Sequence, residues 1–550
     1  MPGWRGPQEM KSPSSDPIVD RWASTLRRQP DRPALFDATA QVLRTFGEIE
    51  KEAVRLEEQL APLQAGTVLA VQIGNHPAWP AVLLAGLRRE IIMLALETTI
   101  TDGEHEAVMK TCRCRGLLTA DEKGLIKFQP FDGASSSPSW GDLPRPSLLK
   151  LTSGTTAAPR AIRFRSQQLL ADCDQICATM GIEEDDLNFG VIPVSHSYGF
   201  SNLITPLLAR GVAMVMSRDR LPRAVLDGLA RTRATVFPGM PVFYQAFCAV
   251  EKTPDLSSLR LCISAGAPLS AALARRFREK FGQPIHSFYG SSECGGICYD
   301  VTGEGAPDGY VGSSMHGVQF DPMDAAAEAS RVRVHSAAVG DGYFPEPDAA
   351  RLGHGVFVPD DLLAPCGSGW RIAGRVSDLI NVAGKKVNPA EVEAHLLALP
   401  GVRQAVVFGR SSALRNEEVA ACVVAEENVG EAELLRFCRQ RLSGWQVPKR
   451  IFLVSEIPVN ERGKTSRRDL AARFAQTGCG SGRRARSAVR ACCSKSSKSV
   501  CGSEASAGTS VRETHPRSGR RSAASLPADD SAGKVDRALR SKIRLGEARC

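Results

Sequence analysis

The chain has 550 residues, of which 43% are hydrophobic and 23% charged, and its formal net charge is +9. This composition allows ordinary globular cores and excludes wholesale disorder, while the length indicates roughly two to four domains. Residues 477–550 carry 16 Lys and Arg, 6 Asp and Glu, and no Phe, Trp or Tyr. Because a segment without aromatic residues can hardly form a core, we predict that this tail is disordered.

The distribution of charge limits what the basic excess says about partners. Residues 1–476 carry 53 basic and 54 acidic residues, so we expect no nucleic-acid binding by the body of the chain and no stable membrane insertion. The tail could bind nucleic acid or an anionic membrane, but such charge runs are usually only solvated. The N-terminus lacks the apolar core of a signal peptide, and the longest apolar runs, of about ten residues, are too short to span a bilayer. No paired zinc-binding cysteines occur, and together these features favour a cytoplasmic protein.

After a flexible lead at 1–15, residues 16–375 alternate short β-rich runs with helical stretches. This alternation predicts an α/β fold with mostly parallel sheets, in which ligands bind at the carboxyl ends of the strands. A helix is predicted over Ser166–Met180, with Ser166 as its cap and Gly181 as its stop. The predicted strands include Val68–Ile73, Val191–Val194, Ala213–Met216, Thr235–Phe237 and Leu261–Ser264.

A smaller, mobile α+β domain is predicted over 377–475. Asn388 is a candidate helix cap, with Pro389 at the first helical position, and the helix should end before Pro400. The following elements are predicted to be strands Gln404–Phe408 and Val419–Val424 and a helix near Glu431–Leu442.

The most informative segment is a hydroxyl-rich turn that follows the β-run ending at Leu151. Thr152 through Arg160 reads T-S-G-T-T-A-A-P-R. The backbone amides, hydroxyls and cation of such a turn can bind a polyanion such as the phosphates of a nucleotide. The Walker pattern is absent, and an ordinary Ser/Thr turn is the alternative.

Further residues could complete a nucleotide site. Glu293, in the turn after Tyr289, is a candidate ligand for the Mg²⁺ that accompanies nucleotide phosphates. Asp361 and Arg375 could grip ribose hydroxyls, and a later turn presents Lys464. The alternatives are a surface carboxylate, two solvated loops and a basic surface loop.

In order and spacing, these segments resemble the adenylate-forming superfamily of acyl-CoA synthetases, firefly luciferase and nonribosomal-peptide adenylation domains. The resemblance covers about residues 16–475 and rests on five motifs. It implies that a carboxylate attacks the α-phosphorus of ATP, and that a thiol then attacks the acyl-adenylate. It also implies ATP, Mg²⁺ and CoA as cofactors, and a small carboxylic acid as substrate.

The resemblance assigns roles to individual residues. Catalytic roles fall on Lys464, which would be required for adenylation, on Glu293, which would also bind the metal, and on His196 beside the acyl site. Gly266–Pro268 would pack on adenine, and Gly384 would lie in the segment that lines the thiol tunnel. The implied nucleotide- and thiol-binding residues are Thr152, Ser153, Gly154, Thr155, Thr156, Arg160, Gly266, Ala267, Pro268, Tyr289, Gly290, Ser292, Asp361, Arg375 and Gly384.

Four departures from the family pattern bear on activity. In the phosphate loop, Ala157 replaces a glycine and cannot easily adopt a positive φ, and Arg160 replaces a lysine and binds phosphate as a fork. Pro359-Asp360 replaces Thr-Gly before Asp361, and Ser377 stands at a hinge position that is usually Asp or Lys. Because the metal ligand, the ribose carboxylate and the lysine are retained, we expect activity.

The leading hypothesis is a carboxylate–CoA ligase. One alternative is a stand-alone adenylating enzyme that loads the phosphopantetheine of a separate carrier protein, and another is a non-catalytic nucleotide-binding homologue. A medium-chain fatty acid, an aryl acid and a short acid all remain open as substrates. The segments expected to line the acyl pocket are His196–Asn202, Phe237–Pro241, Ser264–Pro268 and Val311–Gly317.

Overall fold

The computed structural model describes residues 16–121, 124–131, 138–152, 159–304, 307–382, 385–412, 416–457 and 465–474. All of them belong to a unit that spans Met1–Val489, and a second unit spans Arg490–Cys550. Within the described ranges, no helix is both long enough and apolar enough to cross a membrane. The domain limits given above stay predictions.

The helices are mostly short and lie between strands along the chain. A π-helix, Phe200–Ile204, separates two of them. The α-helices of the described residues are α1 (Pro17–Arg28), α2 (Phe46–Leu60), α3 (Trp79–Arg88), α4 (Asp102–Thr111), α5 (Ser166–Met180), α6 (Ser197–Gly199), α7 (Thr205–Arg210), α8 (Pro222–Thr232), α9 (Pro241–Ala249), α10 (Ala271–Phe281), α11 (Pro389–Leu397), α12 (Glu431–Arg441) and α13 (Arg467–Phe474).

The described strands form four sheets. The eleven-stranded sheet has the order β2-β1-β10-β9-β11-β12-β13-β14-β15-β22-β21, and the seven-stranded sheet has the order β18-β8-β7-β4-β3-β5-β6. A four-stranded sheet runs β16-β17-β20-β19, and a five-stranded sheet runs β24-β23-β26-β25 with β27 beside β26. The strands are β1 (Pro33–Phe36), β2 (Val42–Thr45), β3 (Val68–Gln72), β4 (Ile92–Ala95), β5 (Cys114–Ala120), β6 (Ile126–Pro130), β7 (Leu148–Leu151), β8 (Ala161–Phe164), β9 (Leu187–Gly190), β10 (Ala213–Met216), β11 (Val236–Gly239), β12 (Leu261–Ser264), β13 (Ile285–Ser291), β14 (Gly295–Tyr299), β15 (Tyr310–Ser314), β16 (Val318–Pro322), β17 (Val332–Ser336), β18 (Gly342–Phe344), β19 (Leu352–Gly353), β20 (Val356–Phe357), β21 (Asp361–Cys366), β22 (Gly369–Arg375), β23 (Ile380–Val382), β24 (Lys385–Val387), β25 (Val402–Ser412), β26 (Asn416–Ala425) and β27 (Arg450–Leu453).

Parallel pairing dominates the centres of the two large sheets, which confirms the predicted α/β class. In the eleven-stranded sheet, β10, β9, β11, β12 and β13 are successive parallel neighbours. In the seven-stranded sheet, β7, β4, β3 and β5 are parallel. Apart from β5, these strands are mostly buried on both faces, as expected for parallel sheets covered by helices.

Helix α5 packs against α1, α7 and β14, and its side chains bind two segments of the candidate site. It spans the predicted residues and ends at Gly181, whose φ of 62° suits a glycine stop. The prediction that Ser166 caps the helix is wrong, because Arg165 occupies the cap and its backbone N–H donates to the Gln168 side chain at 2.7 Å. Ser166 is instead the first helical residue, and its hydroxyl donates to Asp16.

One predicted strand is displaced by a few residues. The strand at this place is β9, which ends at Gly190, and Val191–Val194 is not a strand. The apolar pattern missed β9 because it contains Asn188, which is 1% exposed and donates its side-chain amide to the carbonyl of Asn202 at 3.0 Å. A buried amide whose Nδ2 is hydrogen-bonded thus occupies a position where the pattern calls for an apolar residue.

The carboxyl-terminal helices pack on the five-stranded sheet. Asn388 caps α11 as predicted, since its Oδ1 accepts from the backbone N–H of Ala390 at 3.1 Å. The helix ends at Leu397, before Pro400. A separate buried cluster joins α11 and α12 to the sheet and includes Val392, Leu396, Val407, Val423 and Leu434.

Candidate active site

The phosphate-loop segment connects two adjacent strands. β7 and β8 pair antiparallel, with Leu151 opposite Ala161. Just beyond them, the backbone N–H and the Oγ1 of Thr152 donate to the carbonyl of Arg160 at 3.0 and 3.3 Å. The ends of the turn are therefore held together, while Ser153, Gly154, Thr155, Thr156 and Ala157 lie outside the described residues.

Tyr343 brings Arg160 and Glu293 together. It lies on β18, where it is the register partner of Ile162 on β8. The Arg160 guanidinium carbon lies 4.0 Å from the centroid of the Tyr343 ring, and the Tyr343 hydroxyl donates to Glu293 Oε1 at 3.1 Å. Burial and then the Glu293 charge raise the pKa of the Tyr343 hydroxyl, which keeps it protonated as a donor.

Glu293 lies in the turn between β13 and β14. Its other oxygen, Oε2, accepts from the Ser291 hydroxyl, and its carbonyl accepts from the backbone N–H of Gly340 at 2.9 Å. Both groups that donate to the Glu293 carboxylate are neutral hydroxyls, so they orient its charge without neutralising it. An oriented carboxylate is the type of ligand that Mg²⁺ prefers, and Glu293 therefore fits the predicted metal position.

A second polar group joins Tyr289, Asp361 and Arg375. The Tyr289 hydroxyl donates to Asp361 Oδ2 at 2.8 Å, and Arg375 Nε lies 2.8 Å from Asp361 Oδ1. Asp361 and Arg375 are register partners on β21 and β22. Burial disfavours the charged form of Arg375, but the charges of Asp361, Asp378 and other acidic neighbours together outweigh it and raise the pKa of the guanidinium.

The remaining predicted site residues, where the structure describes them, lie at the ends of strands and helices. Gly266, Ala267 and Pro268 follow β12, whose neighbour β13 carries Tyr289 and Gly290, and Ser292 directly follows β13. His196 is half-buried at the amino-terminal end of α6, where its Nδ1 accepts from the backbone N–H of Tyr198 at 3.4 Å. Gly384 and Lys464 lie outside the described residues.

Arg467 anchors the chain shortly after Lys464. Its Nη1 lies 2.6 Å from Asp378 Oδ2, and its Nη2 lies 2.8 Å from Glu393 Oε1. Its Nε donates to the Val407 carbonyl at 2.9 Å. One guanidinium thus ties the beginning of α13 to α11, to β25 and to the residue after Ser377.

Sequence reasoning missed Tyr343 and the residues that hold its strand. Asp341 accepts from Arg165 Nε at 2.8 Å, from Arg165 Nη2 at 2.9 Å and from Gln168 Nε2 at 2.7 Å. Arg351 pairs with Asp360 at 2.8 Å. No local pattern marks these residues, because each contact depends on pairing or packing between segments distant along the chain.

Comparison with known proteins agrees with this arrangement. The family model described as "AMP-binding enzyme" matches residues 20–344, and that of the "AMP-binding enzyme C-terminal domain" matches residues 391–464. The chain belongs to the AMP-binding enzyme family. The resemblance to adenylate-forming enzymes is therefore confirmed.

Individual relatives cover most of the chain. A feruloyl-CoA synthase from an Amycolatopsis species is 27% identical over 464 residues, covering 78% of this chain and 94% of the relative. A 3,4-dihydroxybenzoate–[aryl-carrier protein] ligase from Bacillus anthracis is 26% identical over 386 residues, covering 70% and 85%. ATP-bound MatB from Rhodopseudomonas palustris, a crystal structure, has a TM-score of 0.73 at 22% identity and covers 83% of this chain and 99% of its own, which shows the fold. The predicted enzyme class, an AMP-forming acid–thiol ligase, agrees with these relatives.

The Arg467 network yields a prediction about stability and its pH dependence. Arg467→Met leaves the half-buried Glu393 and Asp378 without their counter-charge, so we expect a loss of about 3 kcal/mol, as for a broken buried ion pair. Burial already raises the pKa of Glu393, and Arg467 opposes this. Without Arg467 the carboxyl protonates at higher pH, so the loss should be smaller at pH 5 than at pH 8.

Urea unfolding of the full chain at both pH values measures this difference. Arg467→Met combined with Glu393→Gln should recover part of the stability at pH 8, and Arg439→Met serves as a surface control. An equal loss at both pH values would contradict the assignment of the effect to Glu393.

Proposed function

We propose that the protein activates a carboxylic acid with ATP and transfers the acyl group to the thiol of CoA. The observation that carries this proposal is the contact of Tyr343 with both Arg160 and Glu293. It brings a phosphate-loop cation and a candidate metal-binding carboxylate to one place. The family and its CoA-ligase relatives support the same reaction.

The first step brings an anion towards a polyanion, and the site supplies charge for this. In the reaction we propose, Arg160 and Lys464 stabilise phosphate oxygens, and the substrate carboxylate attacks the α-phosphorus as pyrophosphate leaves. Mg²⁺ held at Glu293 would add neutralising charge. Two unit charges 4 Å apart interact by about 4 kcal/mol at an effective dielectric constant near 20, so the position of each cation matters.

Asp361 and Arg375 are proposed to bind the ribose, and Tyr289 with Gly266–Pro268 to hold the adenine. Tyr289 is buried, and its hydroxyl bond to Asp361 fixes both the ring and the carboxylate. The ion pair leaves lone pairs of Asp361 and other guanidinium N–H groups for sugar hydroxyls. A preformed pair of this kind reduces the ordering that nucleotide binding requires.

In the second step, we propose that the carboxyl-terminal part rotates about Ser377 and replaces Lys464 at the site by the segment around Gly384. Hinge motions of this type are a common means of separating two reaction steps. Lys385 and Lys386 are exposed on β24, and Lys385 Nζ lies 3.7 Å from the centroid of the Trp445 ring. These two cations are positioned to meet the phosphates of an incoming CoA.

A separate carrier protein is the second candidate acceptor. The Bacillus anthracis relative is named for such a reaction, and the phosphopantetheine thiol is common to both acceptors. Turnover with free CoA favours the ligase, whereas turnover only with a holo-carrier favours the alternative.

A panel of carboxylic acids tests the proposed function. Purified protein is incubated with ATP, Mg²⁺ and short, medium-chain and aryl acids, and pyrophosphate release is measured with and without CoA. We expect at least one acid to support release, with AMP and an acyl-CoA as products. Tight ATP binding without exchange for any acid would instead indicate a non-catalytic homologue.

Lys464→Ala should separate the two half-reactions. We expect acid-dependent pyrophosphate exchange to fall by about 10²–10³, similar to the loss of one preorganised electrostatic group. Thiol transfer from a supplied acyl-adenylate should remain, because Lys464 is proposed to act only in the first step. The exposed Lys449→Ala variant is the control, and full exchange by Lys464→Ala would refute the assignment.

Asp361→Asn should weaken AMP binding through the sugar. The variant loses the ion pair with Arg375 and one charged acceptor, so we expect an affinity about 10- to 100-fold lower, which corresponds to a charged hydrogen bond of about 1.5–3 kcal/mol. Calorimetry with AMP measures the change, and 2′,3′-dideoxy-AMP is the matched ligand. If both ligands lose affinity equally, Asp361 does not read the ribose hydroxyls.

A further inference from the structure

A buried lysine on β7 and a buried aspartate on α5 are neighbours, and both contact the π-helix in the segment expected to line the acyl pocket. Lys150 on β7 is 5% exposed, and Asp172 on α5 is 4% exposed. No proposed step of the reaction uses either residue. Burying a charge is costly unless it is paired and hydrogen-bonded.

The ammonium of Lys150 is surrounded by rings. Its Nζ lies 4.6 Å from the centroid of the Phe164 ring and 5.2 Å from that of Phe200. Within the described part of the chain, its recorded contacts are these two rings, with no hydrogen-bond acceptor and no carboxylate oxygen within 4.0 Å. Aromatic faces attract a cation, but they do not use its three N–H donors.

Asp172 is the charged neighbour of the lysine. Its Oδ1 accepts from the backbone N–H of Gly296 at 3.1 Å, and a side chain at Gly295 would collide with the carboxylate. Burial raises the pKa of the Asp172 carboxyl, while the Lys150 charge and the Ser201 hydroxyl oppose this. Burial also lowers the pKa of Lys150 to about 8, again against the effect of its partner.

The pair contacts segments that adjoin the proposed site residues. Phe200 and Ser201 belong to the π-helix that follows His196, and irregular helices of this kind are frequent at functional sites. Gly296 lies three residues after Glu293, and Lys150 lies two residues before Thr152. Along the chain, the pair and its contacts therefore adjoin the proposed phosphate loop and metal-binding turn, and Phe200 and Ser201 belong to the segment expected to line the acyl pocket.

A group that both accepts and donates a hydrogen bond suits this position. The oxygen of such a group on the substrate would accept a hydrogen bond from the Lys150 ammonium, and its O–H would donate one to the Asp172 carboxylate. A hydroxyl does both and adds no charge, whereas a second carboxylate would be repelled by Asp172. The Lys150 ammonium and the Asp172 carboxylate form no ion pair within 4.0 Å. A third group, such as a hydroxyl, would therefore be needed to bridge them.

We propose that Lys150 and Asp172 are specificity-determining residues that recognise a hydroxyl group on the carboxylic acid substrate. This inference rests on the proposed function and narrows its substrate class to hydroxylated acids. A site built to hydrogen-bond a hydroxyl discriminates strongly against the analogue that lacks it, because its buried polar groups are then left unpaired.

Matched pairs of acids test the proposal with the full chain. The pairs are 4-hydroxycinnamate and cinnamate, 4-hydroxybenzoate and benzoate, and 6-hydroxyhexanoate and hexanoate, with adipate as a dicarboxylate. The readout is kcat/KM in acid-dependent pyrophosphate exchange. We expect the wild type to favour the hydroxylated member of at least one pair by about tenfold or more, and to favour it over adipate.

Variants assign that preference to the two residues. Lys150→Met should lower the ratio within the preferred pair at least about tenfold, with little change in the KM for ATP. The isosteric Asp172→Asn keeps an oxygen for the Gly296 N–H and should also lower the ratio, so it carries the test if Lys150→Met does not fold. Lys110→Met, at an exposed lysine of α4, should leave the ratio unchanged.

The outcomes distinguish this inference from the proposed function. Exchange without preference in any pair, or a preference that survives in Asp172→Asn and in folded Lys150→Met, would overturn the inference alone. A thermal-stability loss in Lys150→Met with an unchanged ratio would show a purely structural role. No exchange by the wild type with any acid would overturn the proposed function together with this inference.

Discussion

The contact of one tyrosine with two charged residues determines how the site is assembled. Arg160 follows the phosphate loop of the seven-stranded sheet, whereas Glu293 follows a strand of the eleven-stranded sheet. Tyr343 contacts the first with its ring and the second with its hydroxyl. A one-residue slip of β18 against β8 would move its side chain to the other face of the sheet, so this register is a condition for the site.

That register is itself held by ionic contacts at the edge of the sheet. β18 has three residues, Gly342–Phe344, and cannot fix its own position strongly. The preceding Asp341 is bound by both Arg165 and Gln168 at the start of α5. Since α5 also carries Asp172, which accepts from the backbone N–H of Gly296 at the start of β14, one helix contacts both polar segments that Tyr343 joins. A shift of α5 would therefore affect both sides of the site at once.

The sequence predicted the elements whose signals are local. The fold class, α5 and the cap at Asn388 follow from alternation, an apolar stripe and a polar cap, and all are found. The strand at 191–194 was misplaced because the true strand contains a buried asparagine. Tyr343, Lys150 and Asp172 acquire their significance only through pairing between distant segments, and no local pattern contains that information.

The proposed hinge has a physical basis in two neighbouring ion pairs. Arg375 is paired with Asp361, the proposed ribose-binding carboxylate, and Asp378 is paired with Arg467, which lies three residues after Lys464. Ser377 lies between these pairs and is exposed. A change of backbone dihedral angles there would leave the Asp361–Arg375 pair in place and carry Asp378 and Arg467 together. Because Arg467 also binds Glu393, Lys464 would move with the carboxyl-terminal helices as one body, while the bound nucleotide would keep its contacts. A hinge Asp or Lys would place another charge between these pairs, whereas Ser377 is uncharged and donates its hydroxyl to Asp378 Oδ1 at 3.3 Å.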